Sequence, residues 1–159
     1  MTSALQSTRV SPAGLAALAQ ALREAGLPED DVALPARVFY AFHLDGQPIG
    51  YAGLEAHGSA ALLRSVLIAT QHRKRGLGSL VVGEMERLAR DSGIESLHLL
   101  TTNQAQFFER IGYLPTPRQL APAEIAATAQ FKSLCPASAS YLRKTLARNS
   151  TACDGTAWQ

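Results

Sequence analysis

Val66-Leu67-Ile68-Ala69-Thr70-Gln71-His72-Arg73-Lys74-Arg75-Gly76-Leu77-Gly78-Ser79 places an apolar run, a tight basic glycine turn and the start of an amphipathic segment in direct succession. The order strand, turn, helix matters physically. A helix N-terminus presents unpaired backbone N–H groups and a partial positive charge, and glycines let an anion approach the backbone with no Cβ in the way. The turn therefore suits a pyrophosphate. The plainer alternative is a solvated basic run at Arg73, Lys74 and Arg75, with Gly76 and Gly78 in an ordinary strand-to-helix turn.

Working outward, Leu77, Leu80, Val81, Met85 and Leu88 repeat at helical spacing up to Ser92-Gly93, so a helix of several turns is expected with its apolar face on a sheet. Before the turn, residues 37–44, 48–56 and 60–69 are runs rich in strand-forming types. Asp45-Gly46 and His57-Gly58-Ser59 separate them, which predicts three sequential antiparallel strands. After it come a short buried strand at 96–100 and a helix carrying Phe107, Phe108 and Ile111, capped by Thr101 or Thr102 and ended by Gly112. A strand at 113–115, a helical piece at 122–128 and a last strand at 139–146 follow. At the N-terminal end, residues 4–9 alternate as a strand. Ser11-Pro12 reads as N-cap and first helical position for a helix with Leu15, Leu18 and Leu22 on one face, stopped at Gly26 and Pro28. Residues 28–35 read as a connector.

The chain has 159 residues, enough for one domain with a real core, expected over 1–147 with a polar, flexible tail at 148–159. With 47% hydrophobic and 18% charged residues it has the balance of a globular protein, and a net charge of +2 demands neither a nucleic-acid nor a membrane partner. The opening residues lack a leader pattern and no run approaches the length of a membrane span, so a cytoplasmic location is expected. Cys135 and Cys153 are too few for a disulfide framework and lack metal-ligand spacing, so no metal is expected.

Arg73-x-x-Gly76-x-Gly78 between an apolar strand and an amphipathic helix resembles the acetyl-CoA signature of the GNAT acetyltransferases. Ile68 stands five residues before Arg73, where that family ends its central strand, and Phe107-Phe108-Glu109-Arg110-Ile111-Gly112-Tyr113 resembles its second motif. The resemblance implies an α/β (α+β) fold: a mixed, mostly antiparallel sheet of six to seven strands with helices on both faces. It also implies acetyl-CoA as co-substrate, bound by Val66, Leu67, Ile68, Arg73, Lys74, Arg75, Gly76, Leu77, Gly78, Ser79, Asn103, Phe107 and Phe108. The strand before the turn would splay from its neighbour, freeing backbone groups at Val66, Leu67 and Ile68. Two positions depart from the family pattern. Phe108 replaces the tyrosine that many members use to protonate the departing thiolate, and Thr101 stands where many carry an asparagine, with Asn103 out of register.

Leu62-Leu63-Arg64-Ser65-Val66, Leu99-Leu100-Thr101-Thr102, Ala127-Thr128-Ala129-Gln130-Phe131 and Ser133-Leu134-Cys135-Pro136-Ala137-Ser138-Ala139 resemble the arsenic-resistance acetyltransferases of the ArsN type. The Leu-Leu-Thr-Thr strand end and Leu114-Pro115 also look like the catalytic domain of N-acetylglutamate synthase. Both imply an amino-acid-like amine as acceptor, and together they suggest detoxification of a glutamate-shaped antimetabolite such as arsinothricin or phosphinothricin. Arg37, Arg64, Ser65 and Thr101 are the available partners for an acceptor carboxylate, with a solvent-facing strand arginine as the alternative for Arg64.

Transfer to an amine needs a group to take its proton. Glu55, on the same strand side as Tyr51, Gly53 and His57 if alternation holds, is the first candidate, with Ser65 beside it as a second catalytic candidate. An exposed strand-end carboxylate is the alternative for Glu55. His57 and His98 rank lower. Cys135 either lines the acceptor pocket and meets an arsenical, or is a small apolar residue before Pro136. Three readings stay open: an acetyltransferase for a small amine, working as monomer or homodimer; one for a peptide or protein amine; and a non-catalytic sensor of acetyl-CoA or an arsenical.

Overall fold

In the computed structural model, residues 5–27, 32–33, 36–69, 76–134 and 138–146 are described. The expected tail, Cys135 and nearly all of the 28–35 connector lie outside them. Seven strands form one sheet: β1 (Leu5–Arg9), β2 (Arg37–Leu44), β3 (Gln47–His57), β4 (Ala60–Ile68), β5 (Ser96–Thr101), β6 (Leu114–Pro115) and β7 (Ser140–Thr145), in the spatial order β1-β2-β3-β4-β5-β7-β6. Every pairing is antiparallel except β4 with β5, whose connection runs through helix α2 (Leu77–Asp91), as a parallel pair requires.

Two features of β4 prepare the site. Its ladder with β5 holds only Ala60↔Ser96, Ala61↔Leu97 and Leu62↔His98, although β4 continues to Ile68 and β5 to Thr101, so the sheet opens beyond Leu62. On the other side, Gly53 pairs with Arg64 and Tyr51 with Leu67, leaving Ser65 and Val66 opposite the single residue Ala52. This β-bulge holds Ser65 at φ 58°, a left-handed conformation that costs a non-glycine residue about 1–3 kcal/mol and concentrates at functional sites.

Strand alternation sends successive side chains to opposite faces, each covered by helices. Leu63, Ala61, Leu54, Phe42 and Leu97 pack with Leu77, Val81, Val82, Met85 and Ala89 of α2. On the other face, Phe39 packs with Leu18 and Leu22 of α1 (Leu15–Glu24), and Leu62 with Ile125 of α4 (Ala123–Ala126). Helix α2 ends at Gly93, φ 88°, where the Ile94 amide reaches the Ala89 carbonyl at 2.9 Å and the Gly93 amide the Arg90 carbonyl at 3.0 Å. Helix α3 (Ala105–Arg110) carries the Phe107-Phe108 pair against α2.

Two local expectations need correction. Ser11 and Pro12 do stand at the N-cap and first position of a helical segment, but that segment is a 3-10 turn, Pro12–Gly14, without a side-chain cap bond, and the α-helix starts only at Leu15. Helix structure near 122–128 is only Ala123–Ala126, and a five-residue π turn, Gln130–Leu134, follows that no periodicity announces. A short 3-10 turn at Arg118–Leu120 was likewise not expected.

Candidate active site at the splayed strands

On the side of the basic turn, the described chain resumes at Gly76, the N-cap of α2, with φ 75° and, among the described residues other than its chain neighbours, nothing within 4 Å of the place a Cβ would occupy. Gly78 sits under α3: a Cβ there would stand 3.1 Å from Cζ of Phe107. Leu77 is 5% exposed and anchors α2 in the core, while the Ser79 hydroxyl donates to the Gly76 carbonyl at 3.0 Å. Arg73, Lys74 and Arg75 lie outside the described residues. Half-buried Phe107 meets Phe108 edge-on at 5.0 Å, and buried Phe108 meets Tyr113 edge-on at 5.5 Å. Asn103 is exposed in the turn before α3. Val66 and Ile68 pack toward the α2 side and Leu67 toward the α1 side.

On the α1 face, around the bulge, four polar side chains converge. Glu55 is 1% exposed. Its Oε1 lies 3.4 Å from Arg64 Nη1 and 3.5 Å from Arg37 Nη2, and its Oε2 lies 2.8 Å from His57 Nε2. Strand register explains the meeting: Arg37 is the cross-strand partner of Glu55, and Arg64 stands beside Gly53, two residues back on the same side of β3. The Arg64 side chain has no exposure. Its Nε donates to Ser65 Oγ at 3.3 Å, and its guanidinium carbon lies 5.5 Å above the Phe39 ring. The ring has room there because residue 53 is glycine: a Cβ would sit 2.5 Å from Phe39 Cδ1. Neither Glu55 nor Arg64 is the solvent-facing side chain that the plainer alternatives describe.

Other candidates stand apart. Thr101, at the end of β5, accepts the Gln104 amide on Oγ1 at 3.0 Å and so closes the turn before α3, but the N-cap of α3 is Gln104, without a side-chain cap bond, rather than Thr101 or Thr102 as expected. His98 is buried, with Nδ1 2.7 Å from the Tyr141 hydroxyl and Nε2 2.8 Å from Ser96 Oγ. Burial first, then the charge of Arg143, pushes its pKa down to about 4, so it is a neutral structural group. Among the described residues a cavity of about 400 Å³ on the α1 face is lined by Arg37 and Phe39 together with Arg9, Ser11 and Leu15. A larger one, about 550 Å³, lies at the β6–β7 edge between Pro115 and Tyr141 and includes none of the Glu55 group.

The family description Acetyltransferase (GNAT) domain matches residues 35–115, a span that begins just before Arg37 and takes in Glu55, Arg64, Gly76, Gly78 and Phe107. The chain belongs to the GNAT acetyltransferases. A Bacillus subtilis (strain 168) protein named as an acetyltransferase is 34% identical to this GNAT chain over 67 residues, 42% of this chain and 46% of that one. An uncharacterized N-acetyltransferase of Chlorobaculum tepidum is 29% identical over 90 residues, 56% of this chain and 57% of that one. The chain thus spans about half the length of these curated relatives. N-acetylglutamate synthase from Neisseria gonorrhoeae, solved with coenzyme A and L-arginine, superposes with a TM-score of 0.73 at 18% identity, covering 91% of this chain and 34% of that one. That likeness shows the shared mixed α/β fold.

Two parts of this GNAT domain were not read from its sequence. One is the Phe39–Gly53 seat for Arg64, whose signal is a glycine in mid-strand, a mark of close approach. The other ties α2 to β7: the Tyr113 hydroxyl donates to Glu86 Oε2 at 2.9 Å, and Lys144 Nζ donates to both Glu86 oxygens and to the Ile111 carbonyl at 3.1 Å. Burial pushes the Tyr113 hydroxyl well above its ordinary pKa range, and it is committed to Glu86.

Proposed function

We propose that this GNAT domain is an acetyl-CoA-dependent N-acetyltransferase whose acceptor is the amine of a small amino-acid-like molecule. The observation that carries the reading is the buried Glu55–Arg64–Arg37 group placed beside the bulge where β4 leaves β5. Transfer needs a base for the amine and partners for the acceptor's carboxylate, and a carboxylate with two guanidiniums beside the opening supports that reading.

Acetyl-CoA, when bound, supplies the acetyl group as an activated thioester. Gly76 and Gly78 at the head of α2 leave its phosphates an approach to backbone N–H groups, with Arg73, Lys74 and Arg75 as cationic partners. Val66, Leu67 and Ile68 run along the open edge of β4 and offer main-chain groups to the pantetheine arm and acyl oxygen. Glu55 accepts the proton of the attacking amine, directly or through water, and Ser65 borders the same opening. Arg64 and Arg37 recognise the acceptor's carboxylate, a role for which guanidinium geometry is suited. The thiolate departs unaided at the Phe108 position, which its modest basicity allows. Asn103 and Thr101 complete the β5 side.

The finer identity is a glutamate-shaped antimetabolite, such as arsinothricin or phosphinothricin, disarmed by N-acetylation. Support comes from the arsenic-resistance resemblance in residues 62–66 and 127–139 and from the two arginines. The test compares kcat/KM for glutamate, phosphinothricin and 4-aminobutyrate, the last lacking the α-carboxylate. Preference for the first two by tenfold or more, about 1.4 kcal/mol, supports the reading. Equal use of all three, or exclusive use of peptides, removes it.

A further inference from the structure

A base buried to 1% exposure must lose each proton it takes, or the second turnover cannot begin. Among the described residues three side chains are placed on the Glu55 carboxylate: Arg37, Arg64 and His57. Arginine stays protonated under all working conditions and has no lone pair to receive a proton, so the two guanidiniums fix the carboxylate without discharging it. His57 differs on both counts. Its Nε2 is 2.8 Å from Oε2, and its side chain is 27% exposed where Glu55 is 2%. The ring therefore spans from the buried carboxylate to solvent. Its place follows from the strand: His57 is the last residue of β3, on the same side as Glu55 two residues earlier.

We infer that His57 is the proton outlet of the site, carrying to solvent the proton that Glu55 receives from the acceptor amine. This rests on the assignment of Glu55 as base. The amine loses a proton to the Glu55 carboxylate as its nitrogen bonds to the acyl carbon and the C–S bond breaks. In the tautomer with hydrogen on Nδ1, His57 Nε2 then takes the proton from Oε2 while Nδ1 releases its own to water. The net change is one proton moved from amine to solvent, with no oxidant or reductant. Nε2–H then donates to the re-ionised Oε2, and the partly exposed ring regains the Nδ1–H tautomer by turning that edge to water and exchanging its proton there before the next turnover. His57 acts through Glu55 and touches no reacting atom.

Two variants separate this role from packing. His57→Gln keeps a hydrogen-bond donor for Oε2 but carries no proton, and His57→Ala leaves space for added imidazole. Both should keep the wild-type acetyl-CoA affinity, acceptor KM and Tm, with kcat lowered on the order of tenfold, less than the 10²–10⁴ expected for loss of a base. Imidazole added to His57→Ala should restore kcat in a saturable manner, and should not restore Glu55→Gln. Wild-type kcat in His57→Gln, or a loss in His57→Ala that imidazole leaves untouched, overturns the relay while Glu55 remains the base. Wild-type turnover in Glu55→Gln overturns the base assignment, and the relay with it.

Discussion

The absent Cβ of Gly53 is what allows the Phe39 ring to lie beneath the Arg64 guanidinium. Gly53→Ala brings a methyl to 2.5 Å from that ring, so Phe39 must move and Arg64 loses its seat. The expected cost is about 1–3 kcal/mol of stability, seen in urea denaturation, with a raised KM for carboxylate-bearing acceptors. Glu55→Gln should lower kcat by about 10²–10⁴ with acetyl-CoA binding unchanged, measured by steady-state kinetics beside calorimetry. Single residues were the least legible scale. Alternation along β3 correctly put Glu55, Gly53 and His57 on one side, but the sequence left the burial of Glu55 and Arg64 open. Burial there depends on cross-strand neighbours and on the covering α1 face, both far away in sequence.

At the scale of elements, reading was better where chemistry is local. Gly26, Gly93 and Gly112 were expected helix stops, and each has positive φ at the end of a helix. The strand-turn-helix order at Ile68 and Leu77 and the second motif at Phe107-Phe108 were equally readable, because periodicity and glycine punctuate them. The π turn Gln130–Leu134 was not, since no periodicity marks it; its Phe131 meets Tyr141 of distant β7, ring centroids 5.1 Å apart. The head of α2 gives a direct prediction. Gly76→Glu puts a carboxylate where the phosphates are proposed to lie and a side chain on a φ of 75°, so acetyl-CoA binding should be lost in calorimetry while the fold persists. The α2–β7 tie gives a contrasting one. Lys144→Met leaves buried Glu86 without its cation and should cost about 3–5 kcal/mol in thermal or chemical unfolding, with little change in the KM of either substrate for the protein that remains folded.

Across the whole molecule, one seven-stranded sheet brings β2, β3 and β4 side by side so that residues 37, 55, 57 and 64 meet, and opens between β4 and β5 beside them. The β2-β3-β4 succession was readable from the turns at Asp45-Gly46 and His57-Gly58-Ser59, whereas the β5-β7-β6 order is set by long-range pairing that no local pattern announces. Described residues contain no helix long and apolar enough to cross a membrane. The buried His98, which bridges β5 and β7, makes fold stability depend on pH. Its folded pKa, about 4, is below the ordinary value of 6.5, so between these values the unfolded chain binds more protons. Its contribution is present above about pH 6.5 and lost as pH falls toward 4, up to about 3 kcal/mol, and urea midpoints taken across that range should fall accordingly. The most direct measurement of the proposed activity is release of free CoA thiol from acetyl-CoA by the purified protein with glutamate, phosphinothricin, arsinothricin, a polyamine and a short peptide in turn. Release with a glutamate-shaped amine, with the N-acetylated product identified by mass spectrometry, is the expected result; acetyl-CoA binding without release for any of them, or release with the polyamine or peptide alone, contradicts it.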